Sequence, residues 1–261
     1  MQLNQARILL TGANGGLGQA LARQLSAAGA ALLLTGREGD RLAGLVPDPG
    51  GEVSCLQADL TDADDLARIV EAARAFGVNV LINSAGIGCF GLLEEQAWPN
   101  IERVLLTNLE MPMRLTHALL PWLTAQPQAV IVNIGSTFGS LPFPGFAAYS
   151  AAKAGLRGFS QALRRELADS AVSVVHLAPR AIDTPLNSPA VNALNRQLGN
   201  RSDNPEDVAS QVVQALLRED RERHFGFPER LFAWLNGVAP RLIDQALAGK
   251  LATIKKHASS L

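Results

Sequence analysis

Thr11 to Gly18 reads TGANGGLG and places four glycines, Gly12, Gly15, Gly16 and Gly18, in eight residues. An apolar, β-prone run, residues 6–10 (ARILL), precedes it. Leu17, Leu21, Ala22 and Leu25 then recur at helical spacing. Strand, glycine turn and helix in that order put strong limits on a chain. Glycine is required where a tight turn, a backbone approaching phosphate, or close helix–strand packing leaves no room for a side chain. The amides at the start of the following helix then face the anion. On its own the segment also fits an ordinary glycine-rich turn, so the context along the chain carries the argument.

That context is repeated strand–helix alternation. Further strands are predicted at 30–35, 52–58, 78–83, 129–134, 172–177 and 224–227, with helices between them. Central apolar strands alternating with helices imply an α/β fold: one doubly wound parallel sheet of about seven strands, covered on both faces. Ligands then bind at the carboxyl ends of the strands. TGANGGLG, NSAG at 83–86, Ser136 and PRAIDT at 179–184 each follow a predicted strand. They gather on one edge.

The chain has 261 residues, 48% of them hydrophobic, which suits one large α/β domain or two small ones; the alternation places a single catalytic domain over 1–227. Residues 228–261 read as a helical extension packed on the body or on a partner. A net charge of −1 gives no electrostatic case for nucleic acid or for an anionic membrane. Cys55 and Cys89 show no ligand or disulfide spacing and read as small buried groups in a reducing compartment. No metal-ligand cluster appears, and no apolar run approaches the length of a membrane span. The N-terminus reads as a first strand rather than a signal peptide, so the expected location is cytoplasmic.

Tyr149 is the sole tyrosine, and Lys153 stands four residues on, sharing its face if both lie in a helix. An ammonium beside a phenol lowers its pKa, and such a pair exchanges a proton with an alcohol or carbonyl. Asn108 lies in an apolar helical stretch and needs partners. After the second strand the chain offers Gly36 and Arg37 where a carboxylate would favour a free ribose hydroxyl. A guanidinium suits a 2′-phosphate, which argues for NADP(H) over NAD; Arg41 is a second candidate. Asp59 either accepts from the adenine amino group or, with Thr61 as the alternative, caps the helix at 62–75. Cys89, Phe90 and Leu92 suit a substrate wall or plain core, and the loop 137–146 carries Phe143 and Phe146 between prolines. Pro99, Pro112 and Pro121 mark helix starts and breaks across 95–125. Residues 185–204 lack a strong period and suit a lid. Asn204 or Asp203 begins a helix running to about Arg218. The charge run 218–223 reads as solvated surface, and the last twelve residues as a fraying end.

Taken together, the chain resembles the classical short-chain dehydrogenase/reductase family over roughly residues 5–227, with a Rossmann-type fold. TGANGGLG matches TGxxxGxG, and NSAG matches NNAG with Ser84 as the departure. Asn108, Ser136, Tyr149 and Lys153 match the catalytic tetrad, with the thirteen-residue interval from Ser136 to Tyr149. The resemblance implies that Tyr149 is the general acid or base and that Ser136 steadies the substrate oxygen. It implies that Lys153 lowers the tyrosine pKa and holds the nicotinamide ribose, while Asn108 holds a linking water. It assigns cofactor contacts to Gly12, Asn14, Gly15, Gly16, Leu17, Gly18, Arg37, Asp59, Leu60, Asn83, Ala85, Gly86, Pro179, Ile182 and Thr184. PRAIDT resembles PGxxxT, but Arg180 stands where glycine is usual and would contact a polar substrate or point to solvent. Phe90, Leu92, Phe143, Phe146 and Leu186 suggest an apolar pocket. The expected activity is NADP(H)-dependent hydride transfer on a carbonyl/alcohol pair. A cofactor-binding regulator without catalysis is the alternative from another class, and an epimerase or dehydratase relative of this fold is a third reading. A homodimer or homotetramer is expected, with contact of 228–250 to a subunit or a membrane surface left open.

Overall fold

The computed structural model describes residues 1–258. Seven strands form one sheet: β1 (Arg7–Thr11), β2 (Ala31–Gly36), β3 (Val53–Gln57), β4 (Val80–Asn83), β5 (Ala129–Ile134), β6 (Val172–Ala178) and β7 (Glu222–His224). Their order is β3-β2-β1-β4-β5-β6-β7, with every pair parallel. This is the expected doubly wound sheet. The chain winds outward from β1 to β3, returns, and winds the other way from β4. The neighbouring ends of β1 and β4 therefore diverge into a crevice at the carboxyl edge.

Side chains alternate across each strand, and both faces are covered. On one face α1 (Gly16–Ala27) and α8 (Pro205–Arg218) set Leu21, Leu25, Val212 and Leu216 in one core with Ile8, Leu10 and Val132. On the other, α3 (Ala63–Phe76), α5 (Met111–Thr124) and α6 (Ala147–Glu166) join Ile69, Leu115, Leu119 and Leu163 with Leu9, Leu81 and Ile131. Each such side chain contributes about 1.5–3 kcal/mol on burial. The short α2 (Gly39–Ala43) follows β2, and α4 (Trp98–Leu105) precedes α5.

Several expectations change. The cap of α3 is Asp62, which accepts from the amides of Asp64 and Asp65, rather than Asp59 or Thr61. The helix expected from Asn204 or Asp203 to about Arg218 is as read: Asn204 caps α8 through the Glu206 amide, with Pro205 in the first turn. Pro121 lies inside α5, which runs on to Thr124; near a helix end a proline removes one donor without ending the helix. Residues 185–204 contain α7 (Pro189–Leu198), capped by Ser188. Its buried residues are only Val191 and Leu194, too few for a strong period. β7 begins two residues earlier than expected and takes in Glu222, so the charge run is not simply solvated. Glu222 accepts from Arg157 Nε (2.6 Å) and Gln161 Nε2 (2.9 Å) and pairs with His224 (3.4 Å). Those bonds, His224 first, hold its carboxyl below the usual range. Cys55 is exposed, because β3 is an edge strand, and the half-buried Cys89 Sγ donates to Gln96 Oε1 (3.0 Å).

After β7 come α9 (Phe227–Val238), α10 (Pro240–Ala248) and α11 (Leu251–Ala258). The expected fraying end is thus helical to residue 258, because Ile254 and Ala258 are buried beside Phe90, Phe146, Val191 and Leu194. The rest of that segment, 259–261, lies outside the described residues.

Candidate active site

A cleft of about 1440 Å³ runs along the carboxyl edge of the sheet. Single small-molecule sites span about 300–1,000 Å³, so this one suits two ligands side by side. Its first half is the glycine turn. Gly12 has φ +69°, and a Cβ there would stand 2.6 Å from the Ala85 Cα. A Cβ on Gly16 would stand 2.5 Å from Thr184 Cγ2. Gly15 holds the N-cap of α1 with no capping side chain and no acidic residue in the first turn. The cleft-lining start of α1 is therefore electropositive and fits a pyrophosphate. Thr11 was missed from sequence. Its Oγ1 accepts from the amides of Ser84 and Ala85, each 3.1 Å, and so fixes the NSAG segment beside the turn.

At the end of β2, the Asn14 amide group accepts from the Glu38 amide (3.2 Å) and donates to its carbonyl (3.1 Å). This leaves Arg37 exposed on the cleft wall, and Arg41 paired with Glu38 at 2.7 Å. Asp59 also lines the cleft. Its carboxylate accepts from the Thr61 amide (2.9 Å) and hydroxyl (2.7 Å), and these bonds hold its pKa below the usual value. Leu60, Asn14, Leu17, Gly18, Gly86, Pro179, Ile182 and Thr184 line the same cleft. Asn83 does not. It is buried behind the edge, where its Nδ2 donates to Asn133 Oδ1 (2.8 Å) and Thr116 Oγ1 (3.3 Å). Alternation along β4 points its side chain into the core.

Ser136, Tyr149 and Lys153 meet where the two halves join. Ser136 follows β5, accepts from the Phe138 amide (3.2 Å), and lines the cleft with Tyr149. Lys153 is buried, donates to the Ile134 carbonyl (2.9 Å), and lies 5.8 Å from the Tyr149 ring centroid. Burial lowers the lysine pKa to about 8. It raises that of Tyr149, with the Ser136 side chain acting the other way. The expected lowering by the ammonium is not what dominates: Lys153 is aimed at a backbone carbonyl, and loss of solvent around the phenol outweighs it.

Asn108 lies in a π-helical turn, Leu106–Glu110, between α4 and α5. Its Oδ1 accepts from the Ile87 amide (3.1 Å) and its Nδ2 donates to the Ile87 carbonyl (2.8 Å). That pairing fixes the NSAG loop and still leaves one donor and one acceptor position on the side chain. Gly86 is needed here, since a Cβ would stand 2.7 Å from Asn108 Oδ1.

Arg180 lines the cleft and does not simply point to solvent. Its guanidinium grips Asp203 through two bonds (2.6 and 2.8 Å) and reaches Glu229 of α9 (3.3 Å). Both bonds raise its pKa, so the charge is permanent.

The second half of the cleft is apolar. Phe138 and Phe143 stack at 5.3 Å, Phe90 and Phe146 lie 5.0 Å apart, and the Tyr149 ring meets Phe138 and Phe146 edge-on. Leu186 lines it, whereas Leu92 packs in the cluster behind. Val191 and Leu194 of α7 and Ile243 and Leu247 of α10 complete the wall. The helical pattern of the tail was readable, but nothing in a single sequence says which body surface a helix returns to. Among the described residues, no cluster of three or more metal-type ligands occurs.

The model of the short chain dehydrogenase family matches residues 6–195. "Dehydrogenase/reductase SDR family member 7B" of Bos taurus is 31% identical over 276 residues, spanning 99% of this chain and 85% of the bovine protein. A short-chain dehydrogenase from Sphingobium yanoikuyae, solved with NADPH, superposes with a TM-score of 0.77 at 28% identity, covering 92% of this chain and 95% of that one. A 3-ketoacyl-(acyl-carrier-protein) reductase from Brucella melitensis, solved with NADH, gives 0.76 at 25% identity, covering 85% and 97%. The sheet order, the glycine turn and the Ser–Tyr–Lys group agree with that match: the chain belongs to the classical short-chain dehydrogenase/reductase family of nicotinamide-dependent oxidoreductases.

Proposed function

We propose that the protein is an NADP(H)-dependent oxidoreductase that interconverts an apolar ketone or aldehyde with its alcohol. The observation that carries this reading is that Ser136, Tyr149 and Lys153, the last one turn along from the tyrosine, line the same cleft as the uncapped start of α1. The bound nicotinamide supplies or accepts the hydride. In reduction, Tyr149 gives its proton to the substrate oxygen as the carbon gains the hydride, and Ser136 donates a hydrogen bond to that oxygen. In oxidation the tyrosine takes the proton back. Lys153, with a pKa of about 8, is mostly protonated at neutral pH and offers a buried positive charge beside the ribose-binding half. Asn108 and Thr11 hold the NSAG loop that walls the cleft.

The relatives take either NADPH or NADH, so the preference rests on Arg37 and Arg41 at the end of β2. Glu38 is the nearby carboxylate, and its pairing with Arg41 keeps it from standing alone as a ribose ligand. Four phenylalanines around Tyr149 support an apolar substrate. The exposed Leu93, Trp98 and Met113 around α4 and α5 support a homo-oligomer. Turnover with each cofactor over a panel of aldehydes and ketones tests the reading. Faster consumption of NADPH than NADH with aromatic or long-chain carbonyls is expected. A preference for NADH, or for small polar carbonyls, contradicts it.

A further inference from the structure

Helix α9 is built inside out. Phe227, Leu231, Trp234 and Val238 recur at spacings of four, three and four, which places them on one face. That face is turned to solvent: Phe227 is 70% exposed, Trp234 63%, Val238 60% and Leu231 48%. The opposite face is polar and holds the helix to the body. Glu229 binds Arg180, and Asn236 Nδ2 donates to the Ser140 carbonyl (3.0 Å). Leu242 of α10, also exposed, extends the apolar stripe.

The charge of the C-terminal segment that carries this stripe differs from that of the rest of the molecule. Residues 227–258 carry five basic side chains, Arg230, Arg241, Lys250, Lys255 and Lys256, against Glu229 and Asp244, a balance of +3. All five are exposed. The net charge of −1 therefore leaves −4 on the remainder.

We propose that the outer face of α9 and α10 docks the protein on an anionic phospholipid surface, with the stripe lying in the plane of the interface. Arg230 lies over the Phe227 ring at 5.9 Å, and tryptophan and phenylalanine beside a guanidinium suit the boundary between acyl chains and negative headgroups. A second copy of the chain fits less well. A two-fold contact through this patch brings Arg230 and Arg241 of one copy towards those of the other, like charge on like. The same helices wall the cleft from within through Phe232, Ile243 and Leu247, so the docked face lies directly behind the substrate pocket. The inference does not depend on the cofactor preference.

Flotation of the full chain with phosphatidylcholine vesicles, and with vesicles containing about one-third phosphatidylglycerol, tests it. Binding to the anionic vesicles, weakened by salt, is expected. Leu231→Ser with Trp234→Ser should weaken it by about tenfold or more, while mass by light scattering and turnover stay unchanged. Arg230→Gln with Arg241→Gln should lower binding to anionic vesicles selectively. Absence of binding overturns the proposal, as does equal binding by the Leu231/Trp234 variant. A fall in the variant's mass without any vesicle binding also overturns it, because the stripe is then covered by a second copy.

Discussion

At the residue scale, burial sets the chemistry of the ionisable groups. The cleft wall removes water from Tyr149 and Lys153 and shifts both towards their neutral forms, though Lys153, at about 8, still carries its charge at neutral pH. The YxxxK spacing was legible, since a helix fixes its geometry. The direction of the tyrosine shift was not, since it depends on what packs around the hydroxyl. His176, unremarked in the sequence, is the sharper case. It is fully buried in β6, and neither ring nitrogen has a partner. Burial, with Arg157, His224 and Lys153 acting alike and Glu222 opposing, lowers its pKa from 6.5 to about 3. The unfolded chain therefore takes up the proton first. Stability is complete above the unfolded value and is lost as pH falls from there towards 3. Urea unfolding at neutral pH and midway between the two values should show His176→Leu losing about 2 kcal/mol less than the parent over that interval. An identical acid dependence would show that His176 does not drive it. Arg37→Ala should weaken NADPH binding by roughly tenfold or more, with NADH little changed, in a fluorescence titration. Equal weakening of both would remove the basis for the cofactor preference.

At the element scale, repeating patterns were readable and their junctions were not. β1 with its glycine turn and α1 follows from a strand, four glycines and a helical period. The π-helical turn at Leu106–Glu110 follows from no pattern, because one extra residue per turn leaves no compositional mark. It nonetheless sets Asn108 against Ile87. Arg180 is a junction of a similar kind: it ties the end of β6 to the start of α8, through Asp203, and to α9, through Glu229. Its partners lie 23 and 49 residues away, beyond any local signal. Arg180→Met leaves two carboxylates without their cation and frees the C-terminal wall of the cleft. KM should rise roughly tenfold with kcat little changed, and the melting temperature should fall. Lysine should not restore either, since an ammonium cannot form the forked pair. An unchanged KM and melting temperature in the methionine variant would contradict this role.

At the scale of the whole molecule, one cleft is assembled from both ends of the chain. The body, from β1 to β7, carries the glycine turn and the Ser–Tyr–Lys group, and α7, α9 and α10 enclose the apolar half. The sheet was legible because strand–helix alternation admits few topologies. The enclosure was not, because α9 to α11 show an apolar period without saying which of its faces meets the body. The arrangement assigns proton transfer to a single hydroxyl and cofactor binding to the opposite half of the cleft, and these can be separated. The direct measurement is turnover and NADPH affinity of Tyr149→Phe beside the parent protein, using the best carbonyl substrate. The account predicts that turnover falls by about a hundred- to ten-thousand-fold while NADPH binds as before. Turnover that survives the loss of that hydroxyl would contradict it.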